Sequence, residues 1–240
     1  LYKGYELTRS YDSRKRVWFA TLKKGDQTLA TFKKGGHEKR WTRFALFPFL
    51  AAKTKQLIIE QFSGGAHCCS YYWIFDLSPD FHLIYDSGEY DVGYILRPLD
   101  LDGDRVFEFA QHILTFDYFD RLPHVYSPLP VVVFKYDKGA RKYFPANHMF
   151  STYGLTGIEQ DIRKVKEFNE KTDFTGYDDS EGKYLFMMLE VIFPYVYAGK
   201  EKEAWSFYDE EYRLKDKEEM KFKIRKRLES CPVYKYIYSR

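Results

Sequence analysis

Two hydrophobic periods divide the chain. Up to about residue 146, short runs rich in β-branched and aromatic residues alternate with turn signals. Arg16-Val17-Trp18-Phe19-Ala20-Thr21-Leu22, the turn Lys24-Gly25-Asp26 and Thr28-Leu29-Ala30-Thr31-Phe32 read as a hairpin followed by Gly35-Gly36. The runs at 57–62, stopped by Ser63-Gly64-Gly65, at 70–77, and at 81–85 after Ser78-Pro79-Asp80 predict further strands. So do 106–116 and 131–136, the latter before the turn Asp137-Lys138-Gly139. No helical period intervenes, so the pairing is expected to be antiparallel.

From about residue 156 the spacing becomes helical. Ile158, Ile162, Val165 and Phe168 fall on one face. After the Gly/Asp loop at 175–180, a second helix is expected, capped by Ser180 and carrying Leu185, Met188, Leu189, Ile192 and Val196. Pro194 is expected to bend or shorten it, and Gly199 to close it. A third helix (201–213) turns Ala204, Trp205 and Tyr208 inward. A fourth (216–229) carries Met220, Ile224 and Leu228, and Pro232 ends it. The expected fold class is α+β. An N-terminal antiparallel all-β domain over 1–150, a sandwich or a partial propeller-like sheet, precedes a C-terminal small helical bundle over 151–240.

A chain of 240 residues buries a core without covalent staples. A net charge of +3 lacks the basic excess of a general nucleic-acid binder. No apolar run approaches the roughly 18 residues of a membrane helix, so no integral membrane segment is expected. The opening Leu1-Tyr2-Lys3 has no Met, which fits a mature exported protein. Charge is uneven along the chain. Residues 1–50 hold 12 basic against 4 acidic side chains, a distribution suited to protecting edge strands or meeting an anionic surface. Between 76 and 120, 11 acidic residues face only Arg97 and Arg105, a concentration expected around a cation.

Within that stretch stands Asp100-Leu101-Asp102-Gly103-Asp104-Arg105-Val106-Phe107-Glu108, with carboxylates at positions 1, 3, 5 and 9. Hard cations such as Ca²⁺ take six to eight oxygens, and alternate residues of a tight loop turn toward one centre. Gly103 permits the bend, and the Val106 carbonyl can serve at position 7. The following Val106-Phe107-Glu108-Phe109-Ala110 reads as a strand, and position 12 is Gln111, which separates the loop from an EF-hand. This stretch resembles the Asp-x-Asp-Gly-Asp loops of FG-GAP and VCBS-type β repeats. That resemblance implies calcium ligation by Asp100, Asp102, Asp104 and Glu108. Arg105 departs from the Gly or Asn frequent at position 6 of those loops.

Upstream lies Ser63-Gly64-Gly65-Ala66-His67-Cys68-Cys69. The span from Gln61 to Asp104, with the tail Tyr197-Ala198-Gly199 and Glu203-Ala204-Trp205, is similar to a set of uncharacterised exported bacterial proteins. That resemblance implies architecture and location but no reaction. Four readings of the motif stand open: a His67–Cys68 catalytic pair, a zinc or copper site, a vicinal Cys68–Cys69 disulfide, and a tight turn with small buried thiols. The two structural readings are favoured, because adjacent strand residues face opposite ways and no fourth metal ligand is evident. Cys231 can instead bridge to either cysteine and tie the tail to the β-domain. The histidines at 37, 67, 82, 112, 124 and 148 show no ligand spacing.

Ser87-Gly88-Glu89-Tyr90 is similar to the Ser-Gly-x-x-Tyr loop of periplasmic lysozyme inhibitors, which implies a loop standing proud of the surface around Ser87 and Tyr90. Tyr71, Tyr72, Trp73, Tyr90, Tyr94, Tyr118 and Phe119 are candidates for a sugar-stacking platform. The leading expectation is an exported protein, periplasmic or lipid-anchored at the envelope. It would be a non-catalytic binding or interaction module stabilised by Ca²⁺, with a protein or glycan of the cell envelope as partner. One alternative is a hydrolase or metal-dependent enzyme using His67 and nearby carboxylates. The other is a lysozyme-inhibitor-like or carbohydrate-binding protein.

Overall fold

The structure, a computed structural model, describes residues 2–14, 17–33, 42–62 and 70–239. The chain forms two compact units, Leu1–Asp86 and Ser87–Arg240.

In the first unit, β1 (Tyr5–Asp12), β2 (Val17–Lys24) and β3 (Gln27–Lys33) form an antiparallel meander. The β2–β3 turn is two residues long, and Gly25 supplies the positive φ, 57°, that its first position requires. A second sheet takes β4 (Thr42–Phe47), β5 (Gln56–Phe62), β6 (Ser70–Asp76) and β7 (His82–Asp86) in that order. Tyr5 and Leu22 from the first sheet join Leu57, Ile59 and Phe75 from the second in one buried cluster. The two-residue period of β5 buries Leu57 and Ile59 and leaves Ile58 partly exposed between them.

In the second unit, β8 (Val92–Leu99), β9 (Glu108–Ile113), β10 (Val131–Asp137) and β11 (Lys142–Pro145) form an antiparallel sheet in the order β11-β10-β9-β8. Six helices follow: α1 (Ser151–Gly154), α2 (Ile158–Lys171), α3 (Lys183–Tyr197), α4 (Glu201–Glu211), α5 (Lys217–Leu228) and α6 (Pro232–Tyr238). Along β9, Glu108, Phe109, Ala110, Gln111 and Ile113 are all buried, so both faces are covered. Helices α1 and α3 pack on β10 and α6 packs on β11. The Phe116 and Phe193 rings lie 4.2 Å apart, and Phe144 of β11 stacks on Tyr236 of α6 at 5.5 Å. The antiparallel sheets and C-terminal helices therefore agree with the α+β expectation. The expected division of a 1–150 β-domain from a 151–240 bundle gives way to one at 86/87, because this sheet finds its core among the helices.

Two local expectations are corrected. Asp179, not Ser180, holds the start of α3: its Oδ1 accepts the Tyr184 N–H at 2.8 Å and its Oδ2 the Leu185 N–H at 3.0 Å. Pro194 does not shorten α3, which runs on to Tyr197. Gly199, at φ 78°, closes it as expected. The Lys200 N–H reaches Tyr195 O and the Gly199 N–H reaches Val196 O, the paired bonds of a Schellman end. Among the described residues, no helix is long and apolar enough to cross a membrane.

Candidate functional site

The carboxylate-rich stretch is the loop of the β8–β9 hairpin, since Leu99 pairs with Glu108 across its base. Side-chain oxygens fold the loop by accepting backbone N–H groups, as Asx turns do. Asp102 Oδ1 accepts from Asp104 at 3.2 Å, Asp104 Oδ1 from Val106 at 2.7 Å, and Asp100 Oδ1 from Arg105 at 3.4 Å. Gly103 and Arg105 both take left-handed backbone, at φ 76° and 65°. Glu108 is fully buried, and its Oε2 accepts the Leu101 N–H at 3.0 Å. One oxygen each of Asp100, Asp102 and Glu108 comes within 4.8 Å of the others. Three of the four carboxylates expected to ligate are thus brought together. Asp104 stays outside that group, and Val106 engages the loop through its N–H.

The neighbouring strand delivers a cation of its own. Lys135 Nζ lies 2.5 Å from Asp102 Oδ2, 2.8 Å from Glu108 Oε1 and 3.9 Å from Asp104 Oδ2. The Phe134–Phe109 pairing of β10 with β9, extended by one residue, sets Lys135 opposite Glu108. Burial works against the ammonium charge, but hydrogen bonds to Asp102 and Glu108 outweigh it and hold the Lys135 pKa up at about 12. The same hydrogen bond lowers the pKa of Asp102. Tyr143 donates to Phe107 O at 2.9 Å, and burial, reinforced by the Glu108 charge, raises its pKa well above the usual phenol value. The four loop carboxylates therefore stand against Lys135 and the loop's own Arg105.

The other expected site residues are dispersed. His67, Cys68 and Cys69 lie outside the described residues. Cys231 is buried, with Tyr197 Oη 3.4 Å from its Sγ, and the bridge expected to Cys68 or Cys69 falls on residues outside the described ones. Ser87–Tyr90 is a short 3-10 turn, not a protruding loop. Ser87 and Tyr90 are buried, and the Tyr90 ring packs on Phe134 at 5.0 Å. Of the platform candidates, Tyr72, Tyr90 and Phe119 are buried, whereas Tyr118 is 66% exposed.

Two polar groupings escape a reading by sequence spacing. Asp117 Oδ1 lies 2.6 Å from His124 Nδ1, with the Tyr118 ring 5.2 Å from the imidazole. Arg121 joins Asp179, Asp216 and Tyr212, which are 58 to 95 residues away in sequence. No periodic signal announces contacts of such separation. No protein-family profile matches the chain, and no significant match was found among curated proteins or solved structures.

Proposed function

We propose that the protein is a non-catalytic binding or interaction module whose β8–β9 hairpin loop holds a calcium ion. The observation that carries this reading is the convergence of Asp100, Asp102 and Glu108 on one centre, within a loop whose backbone their own side chains already order. Three carboxylates at that spacing repel unless a cation lies among them. Lys135 satisfies part of the demand with a single charge, and Ca²⁺ must displace its ammonium. The ion orders a surface loop rather than supplying chemistry, in keeping with the FG-GAP-like pattern of the hairpin. The shared core of the two N-terminal sheets supports reading that unit as a small β-sandwich. Placement at the bacterial envelope, with a protein or glycan as partner, rests on the sequence resemblance.

The test is the thermal midpoint in excess EGTA and in about 2 mM Ca²⁺, a level suited to extracellular-type sites. A site with a dissociation constant of about 0.1 mM adds about 1.8 kcal/mol there, or about 5 °C for a chain of this size. Asp102→Ala is expected to lose the shift. An unchanged wild-type midpoint would refute the calcium reading. Recovery of the protein with cytosolic markers on cell fractionation would refute the envelope placement.

A further inference from the structure

Between the α2–α3 and α4–α5 loops lies a cavity of about 310 Å³, at the small end of the range for ligand sites. Arg121 lies on its lining with every nitrogen engaged. Nε is 3.2 Å from Asp179 Oδ2, Nη1 is 2.8 Å from Asp216 Oδ2, and Nη2 is 2.9 Å from Tyr212 Oη. Asp120 adds a third carboxylate 3.6 Å from Nη1, so the guanidinium is enclosed by acidic groups and offers no free cation on this wall. Phe174 and Tyr177, with ring centroids 5.4 Å apart, and Leu214 give the cavity an apolar side.

Exposed charges of both signs complete the lining. Asp178 comes from the first loop, and Arg213 and Lys215 from the second. Among the described residues Asp178 and Lys215 make no ion pair, and Arg213 makes only a 3.9 Å contact with Glu211. Burial and the nearby Asp179 and Asp178 charges raise the Tyr177 pKa, keeping its hydroxyl a neutral donor. Counted together, three cations and three carboxylates line the space. An ion of one sign meets a repelling partner for every attracting one. A dipole satisfies both.

We propose that this cavity binds a small zwitterion with an apolar side chain, an α-amino acid of leucine or phenylalanine size. Its carboxylate pairs with Arg213 and Lys215. Its ammonium pairs with Asp178, and its side chain lies on Phe174, Tyr177 and Leu214. The inference is independent of calcium at the hairpin loop.

Titration calorimetry of the full chain with L-phenylalanine, 3-phenylpropionate and phenethylamine tests it. L-phenylalanine is expected to bind saturably, and each single-pole analogue to bind about tenfold more weakly, as the loss of one charge-assisted hydrogen bond dictates. Asp178→Asn should weaken L-phenylalanine but leave 3-phenylpropionate unchanged. Arg213→Gln combined with Lys215→Gln should weaken L-phenylalanine but leave phenethylamine unchanged. All three substitutions are at exposed positions, and circular dichroism verifies the fold. No saturable binding of L-phenylalanine or L-leucine overturns the proposal. So does equal binding of 3-phenylpropionate and L-phenylalanine, which would define a simple anion site.

Discussion

Lys135 Nζ sits 2.8 Å from Glu108 Oε1, and Glu108 has no solvent exposure. The lysine is therefore the counter-charge of a buried carboxylate as well as a neighbour of the loop. Replacing it with methionine keeps the aliphatic stem and deletes the ammonium. In EGTA, Lys135→Met should cost about 2 kcal/mol, below the 3–5 typical of a broken buried pair because the Lys135 side chain is itself 22% exposed. With the competitor gone, calcium affinity should rise above that of the wild type, and calcium should restore the lost thermal midpoint. An unchanged midpoint in EGTA would mean that the pair contributes nothing to folding.

The Lys135–Asp102 hydrogen bond also sets a pH window. The Asp102 pKa is lowered by its hydrogen bond to Lys135, so its contribution is complete above the ordinary carboxylate pKa of 3.8 and is lost as pH falls through the lowered folded value. The Lys135 pKa is raised from 10.5 to about 12, so its contribution is complete below 10.5 and is lost as pH rises through about 12. In EGTA, the midpoint difference between wild type and Lys135→Met should be flat between about pH 5 and pH 10 and shrink on both sides. A difference that changes across neutral pH would point to another titrating partner.

Arg105 holds a left-handed backbone, φ 65°, next to the loop carboxylates. A side chain in that region costs about 1–2 kcal/mol relative to glycine, partly offset by the greater freedom of glycine in the unfolded chain. Arg105→Gly should therefore raise the midpoint in EGTA by a net stabilisation of about 0.5 kcal/mol, whereas Arg105→Ala should not. Both variants remove a positive charge beside the site, so both should bind calcium more tightly in a direct titration. Equal effects of the two variants in EGTA would rule out backbone strain as the cause.

What was legible in the sequence followed from local chemistry. Gly25, the Asp loop and the apolar stripes of α2 to α5 each announced a turn, a tight loop before a strand or a helix through residues close in sequence. β1, β4, β8 and β11 were missed. β1 and β8 mix exposed and buried positions without clean alternation: β8 carries Pro98 and an irregular register between Gly93 and Arg97, and Ile95 is 76% exposed. α6 was missed because Pro232, read as a stop, stands at a helix start, where its missing N–H costs nothing. The calcium-type carboxylates were visible as a spacing, but Lys135 was not. Its role arises from strand register, and the Asp117–His124 and Arg121 groupings arise from tertiary packing.

Gly182 shows how closely that packing depends on one backbone position. It precedes α3 at φ 71°, and a Cβ there would stand 2.7 Å from Leu122 Cδ2 and 3.1 Å from Arg121 O. The left-handed conformation and the close approach act together, since the loop that carries Arg121 rests against the helix start fixed by Asp179. Gly182→Ala should destabilise by about 3 kcal/mol, combining the cost of the conformation with local overpacking. Leu122→Ala would remove the side-chain clash but neither the strain nor the approach of the Arg121 carbonyl. The double variant should therefore be more stable than the sum of the two single losses predicts, while remaining less stable than Leu122→Ala alone. Thermal midpoints of the four proteins measure that coupling, and strict additivity would show that Leu122 does not confine this position.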